Sequence, residues 1–129
     1  MKRILLVAAF LSLFASCKRD IAYDTVSVTE PSLTVIVETK TGIGSAITYA
    51  KVNGAEVKLY NNQADFDNDT TPFRSKTTDQ DGKAVFSKSD LVTKGVFYVR
   101  AISDTLSGTA TTPYMLLNDG ETYLHIELK

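Results

Sequence analysis

The chain has 129 residues, of which 43% are hydrophobic and 22% charged, with a formal net charge of -1. That length suits one domain, and the composition is that of a folded globular protein, not a disordered one. The balance of charge leaves no basic field to hold phosphates by counterion release, which argues against nucleic acid as a partner.

The first sixteen residues stand apart. Lys2 and Arg3 make a positive start, and Ile4 to Ala15 form an uncharged apolar run of 12 residues. The run is well short of the ~20 residues a helix needs to cross a bilayer, so it reads as the core of a signal peptide. It ends in Phe14-Ala15-Ser16-Cys17, small residues just before the only cysteine. This segment resembles the lipobox of bacterial lipoproteins, with Leu13, Ala15, Ser16 and Cys17 in or near the expected places. The resemblance implies cleavage before Cys17 and attachment of its thiol to diacylglycerol. The absence of Asp after the cysteine, where Lys18 stands, implies the outer membrane, facing the periplasm or the cell surface. The alternative is an ordinary secretory signal cut at Ala15 or Ser16, which leaves a free thiol with no partner in the chain. Without Lys2 and Arg3, 12 basic residues face 15 acidic ones. A mildly acidic surface does not attract anionic lipid, so the anchor must supply the attachment.

Residues 17–31 are short and polar and end in Pro31, and they read as a tether. The expected domain covers 32–129. Leu33, Val35 and Val37 alternate with Thr34, Ile36 and Glu38 in a first strand. A loop with Gly42 and Gly44 and an Asn53-Gly54 turn follow. Val57 and Leu59 then alternate with Glu56, Lys58 and Tyr60. Asn61 to Pro72 reads as a polar loop, and Phe73 to Thr78 as a weaker strand. Asp79-Gln80-Asp81-Gly82 is a strong turn. Ala84 and Phe86 share the inner face of the next strand, and Leu91 plugs the core from the connector Ser87 to Gly95. Phe97, Val99 and Ala101 alternate with Tyr98, Arg100 and Ile102. A Ser/Thr/Gly stretch leads to a strand at Tyr114 to Leu117 and a turn at Asn118-Asp119-Gly120. Leu124, Ile126 and Leu128 face inward on the last strand, opposite Tyr123, His125 and Glu127. Turns recurring every 8–12 residues, with no sustained helical period, point to an all-β sandwich or barrel. One cysteine cannot form a disulfide within the chain, so the core must hold the fold.

Three segments also carry a family resemblance. Leu33 to Val37 with Gly42 and Asn53 to Tyr60, the run Lys76 to Phe86, and Gly95 to Ala101 together resemble carboxypeptidase-regulatory-like and transthyretin-like domains. The likeness covers most of 32–129 and implies a single seven-stranded prealbumin-like sandwich, an architecture that hosts many roles. Related collagen-adhesin B-type repeats can form a Lys–Asn isopeptide crosslink, but the final strand here contains no Asn to form it.

Catalytic residue types are scarce. His125 is the only histidine, and mid-strand it reads as a surface residue instead of the base of a nucleophilic triad. One histidine also makes a zinc site implausible. Asp65, Asp67 and Asp69 alternate as calcium ligands do, but an EF-hand starting at Asp65 needs Gly at 70 and Glu at 76, where Thr70 and Lys76 stand. A looser calcium loop or a solvated acidic loop is left. Tyr60, Tyr98 and Tyr123 lie opposite the inward residues of their strands. They are candidates to stack on sugar or anchor a protein partner, or else to lie under a loop. Asp24-Thr25-Val26, Asp69-Thr70-Thr71 and Asp104-Thr105-Leu106 resemble an O-glycosylation pattern of Gram-negative envelope proteins. The expectation is a lipid-anchored envelope protein with a non-catalytic binding or scaffold module and no cofactor. A structural accessory of a larger outer-membrane complex is the competing class, and a small hydrolase the third.

Overall fold

A computed structural model describes residues 30–91, 95–112 and 120–129. Cys17, the expected signal and most of the tether lie outside these residues, as does the expected strand Tyr114 to Leu117. The described residues form strands β1 (Ser32–Thr41), β2 (Thr48–Lys51), β3 (Glu56–Tyr60), β4 (Arg74–Thr77), β5 (Lys83–Phe86), β6 (Tyr98–Ser103), β7 (Leu106–Thr111) and β8 (Glu121–Leu128). One short helix, α1 (Gln63–Asp67), lies between β3 and β4. The protein is an all-β sandwich of two sheets, with eight strands where seven were expected. β2 and β7 are the additions. Every residue of β2 is exposed, and in β7 the half-buried positions are the small Gly108 and Ala110, so neither carries the alternation of large apolar side chains that marks a strand in sequence. No helix among the described residues is long and apolar enough to cross a membrane.

β1 is the spine of the first sheet. Along one edge it pairs in parallel with β8, from Ser32↔Glu121 to Thr39↔Leu128. Along the other it pairs antiparallel with two strands end to end: β5 opposite Leu33 to Ile36, then β2 opposite Glu38 to Thr41. Val37 bridges the junction. Its N–H donates to the Gly82 carbonyl at 2.8 Å, and its carbonyl accepts from Val52 N at 3.0 Å. The Asp79–Gly82 turn therefore closes directly against β1. Gly82 has φ +69°, and a Cβ there would stand 2.7 Å from the Val37 carbonyl oxygen. Asp79 Oδ1 fixes the turn by accepting from the N–H groups of Asp81 and Lys83, both at 2.9 Å.

The second sheet runs β4-β3-β6-β7. Between the sheets lie Leu33, Val35, Val37, Ala84, Phe86, Ile126 and Leu128 from one side, and Val57, Leu59, Phe97, Val99 and Ala101 from the other. Leu91 joins them, as expected. Two buried hydroxyls are satisfied within the fold: Thr78 Oγ1 accepts from Ala55 N and donates to the Val52 carbonyl, and Thr112 Oγ1 accepts from Phe97 N.

The two sheets meet at both sides. On one, Ser107 and Lys129 exchange backbone hydrogen bonds of 3.2 and 3.1 Å. Gly108 sits beside that joint, where a Cβ would come within 2.5 Å of the Glu127 carbonyl oxygen. On the other, Lys76 of β4 reaches β5, its Nζ donating to the Val85 carbonyl at 2.7 Å and to Asp90 at 2.6 Å. That ammonium also lies 5.4 Å from the Phe86 ring centroid.

Candidate interaction surfaces

The outer face of the second sheet is built from cross-strand pairs. The β3–β6 register sets Tyr60 beside Tyr98 and Lys58 beside Arg100. Two aromatic rings and two cations in adjacent rows leave apolar area to cover and like charges to offset. The segment 61–72 does both. Asn62 caps α1 by accepting from Asp65 N at 2.8 Å, and the Asn68 N–H closes the other end on the Ala64 carbonyl. The helix carries Phe66 onto the tyrosines, 5.7 Å from the Tyr60 centroid at 76° and 5.6 Å from Tyr98. Asp69, at φ +45°, follows the helix and returns its carboxylate to the cations, 3.4 Å from Lys58 Nζ and 3.5 Å from Arg100. It also accepts a hydrogen bond from Tyr60 Oη. Arg100 donates to the Phe66 carbonyl at 2.8 Å and lies over its ring at 5.0 Å.

The segment is thus a packed cover. Tyr60 is fully buried and Tyr98 half-buried, so the expected surface of three tyrosines is not formed: helix packing has taken two of them. Burial, reinforced by the Asp69 carboxylate, pushes the Tyr60 hydroxyl up to about 12. Conversely, the Tyr60 hydrogen bond, aided by Lys58 and Arg100, holds Asp69 below its ordinary range. The loop aspartates have structural tasks as well. Asp65 Oδ1 accepts from Thr70 at 2.9 Å, and no three His, Cys, Asp or Glu residues group as a metal site among the described residues. Of the calcium-loop candidates, Asp65 and Asp67 lie in the helix, and Asp69 turns its carboxylate to Lys58 and Arg100.

Tyr123 is different. The pairings of β1 set the outer face of the first sheet in rows: Val85, Thr34 and Tyr123; then Lys83, Ile36 and His125; then Lys51, Glu38 and Glu127; then Tyr49 and Lys40. Thr34 and Ile36, in the middle, are buried beneath their longer neighbours. Around them Tyr123 is 58% exposed, Tyr49 55% and Val85 49%. The Tyr123 hydroxyl donates to Glu121 at 3.0 Å. Lys51 hydrogen-bonds Glu38 and holds that carboxyl below its ordinary range. His125 Nδ1 lies 3.8 Å from the other Glu38 oxygen, with its side chain 61% exposed.

This face joins a centre of mixed charge, Lys83 and Lys51 with Glu38 and Glu127, to aromatic and aliphatic side chains at its margins, suited to a partner offering hydroxyls and other polar groups beside apolar surface. Sequence reasoning found Tyr123 and missed Tyr49 and Val85. Tyr49 sits in a strand without burial alternation, and the β-branched Val85 reads as an ordinary filler between Ala84 and Phe86.

No protein-family model matches the chain, and neither does any curated protein sequence.

Proposed function

We propose that the protein is a lipid-anchored component of the bacterial outer membrane, facing the periplasm or cell surface, whose sandwich is a non-catalytic binding or scaffold module. The anchor reading rests on the lipobox-like residues Leu13, Ala15, Ser16 and Cys17 after a short apolar run. The binding reading is carried by one observation: Tyr123, Tyr49 and Val85 are left exposed around the charged rows of the first sheet. On the opposite sheet the protein spends a helix to cover the equivalent aromatics. The resemblance of 32–129 to carboxypeptidase-regulatory-like and transthyretin-like domains agrees with a module of this kind but does not select its ligand.

Two measurements test the reading. Membrane fractionation of a Cys17→Ala variant is expected to move the protein to the soluble fraction, because the lipid supplies the attachment; retention in the membrane would remove the anchor. Crosslinking of wild type and a Tyr49→Ala/Tyr123→Ala variant in intact cells is expected to lose a discrete adduct, or binding to an envelope-glycan array, in the variant. Unchanged adducts and glycan binding would remove this face as the site.

A further inference from the structure

The apolar tip of the β1–β2 hairpin has no role in the sandwich. Residues 40–51 are exposed throughout. Ile43 is 93% exposed and Ile47 39%, with Tyr49 close behind them. Burying these side chains against the core is impossible, because β1 has left the sandwich by Lys40. Thr41 and Thr48 lock the hairpin arms through a 2.8 Å contact between hydroxyl oxygens, so the tip projects on a braced stem.

We infer that this tip is a second contact with the lipid surface, in which Ile43 and Ile47 enter the boundary between headgroups and acyl chains. The inference rests on the anchored reading above. Charge supports lipid as the occupant: between Glu38 and Glu56 there is no acidic residue, and Lys40 stands beside the tip while Lys51 offsets Glu38 at the base of the stem, in a chain where acidic residues outnumber basic ones. Anionic headgroups attract such a segment and repel the rest of the molecule. Tyrosine at headgroup depth and lysine stems reaching back to water are the side-chain chemistry of that boundary. The exposed outer edge of β2 carries backbone groups that hydrocarbon would leave without partners, which limits entry to the tip.

Chain length permits the geometry. The ten residues of β1 span ~33 Å from Ser32 to the hairpin. The fifteen residue steps from Cys17 to Ser32 can extend to at most ~50 Å, so a chain anchored at Cys17 can bring either end of the sandwich to the same bilayer. Anchoring also makes the tip contact intramolecular, with an effective concentration in the millimolar range for a short flexible linker. A contact too weak to recruit a free domain is then enough to orient a tethered one. Edge pairing with a second copy is the poorer match, since β2 has four residues and carries Lys51, both of which blunt an edge.

The chain contains no tryptophan, so Ile43→Trp introduces a single indole, excited selectively at the red edge of its absorption where the tyrosines do not absorb. The full-length lipidated chain is reconstituted in vesicles of phosphatidylethanolamine and phosphatidylglycerol, with Ser89→Trp, at the opposite end of the sandwich, as the comparison. The expected result is a blue-shifted Ile43→Trp emission that is quenched by lipids brominated on the acyl chain and relaxes when phosphatidylglycerol is replaced by phosphatidylcholine, while Ser89→Trp keeps a water-like spectrum. Co-flotation with vesicles while the Ile43→Trp emission stays water-like and unquenched overturns the tip contact and leaves the anchor standing. A blue shift that persists in lipid-free detergent and grows with protein concentration assigns the tip to a second copy and overturns it too. If the wild-type chain does not float with vesicles, the anchor and the tip contact fall together.

Discussion

Asp69 shows how one side chain can set the state of a whole face. Lys58 and Arg100 stand side by side on paired strands, and Tyr60 brings a hydroxyl into the same buried corner. Asp69→Asn keeps the shape but removes the charge that offsets two cations. It is expected to destabilise the protein by ~1–2 kcal/mol in urea denaturation, within the range for hydrogen bonds to charged groups discounted for partial exposure. Tyr60→Phe should cost ~1 kcal/mol, and the double variant less than the sum of the two, since both changes break one bond. Added calcium is expected to leave the thermal midpoint unchanged, because the Asp69 carboxylate is already compensated; a rise saturating with calcium would restore the loop as a metal site.

The same residues define the pH limits. Asp69, Glu38 and Asp90 are held below the ordinary carboxyl range, chiefly by hydrogen bonds from Tyr60, Lys51 and Lys76 respectively. In the carboxyl titration range the folded chain therefore binds fewer protons than the unfolded chain. Their stabilisation is full above the ordinary value of ~4 and is lost as pH falls below it. Tyr60 works in the opposite direction. Its hydroxyl is raised to about 12, so its contribution is intact below the ordinary tyrosine value of ~10 and is lost as pH climbs from there toward the folded value. Urea midpoints measured across pH should fall at both ends, and Tyr60→Phe should flatten the alkaline fall. An alkaline limb identical in Tyr60→Phe would refute this assignment.

At the scale of elements, close backbone approaches decide where strands can lie. The Asp79–Gly82 turn closes against Val37 only because position 82 has no Cβ and accepts a left-handed backbone. Gly82→Ala is expected to cost ~1–3 kcal/mol, the range for a strained backbone, before any shift of β1. Gly108→Ala acts at the other side, where the added carbon meets the Glu127 carbonyl and must push β7 from β8. Hydrogen exchange should show the difference: Gly82→Ala loosens amides of β1 near Val37, whereas Gly108→Ala loosens Ser107 and Lys129 first. Equal protection in wild type and both variants would contradict these contacts.

Helix α1 was legible in principle. Asn62 followed three residues later by Asp65 has the form of an N-cap with its acidic partner, yet the alternating aspartates draw attention to metal chemistry. The deciding residue is Phe66, which falls on the helical face toward Tyr60 and Tyr98. Alternation correctly directs both tyrosines away from the core, but it does not reveal that a loop returns to cover them.

For the whole molecule, the parallel pairing of β1 with β8 joins the two ends of the domain. Deleting residues 121–129 removes Ile126 and Leu128 from the core and opens the full edge of β1. The truncated chain is expected to lose its β-type circular dichroism and its cooperative unfolding transition; retention of both would show that the other strands suffice. So many pairings between distant segments imply folding in the millisecond-to-second range.

The sequence by itself determined the all-β class and the inward sets Leu33/Val35/Val37, Ala84/Phe86, Phe97/Val99/Ala101 and Ile126/Leu128. It also determined the Asp79–Gly82 turn and the core role of Leu91. Each follows from local chemistry: side chains alternate along a strand, and a tight turn selects glycine. Only the tertiary structure decided that β1 pairs with three strands, that β2 and β7 are strands at all, and that Tyr60 is buried while Tyr49, Val85 and Tyr123 stay exposed. Those outcomes depend on backbone hydrogen bonds and coverings supplied by residues far away in the chain. The alternation of one strand encodes which side faces inward, and nothing about what lies on the other.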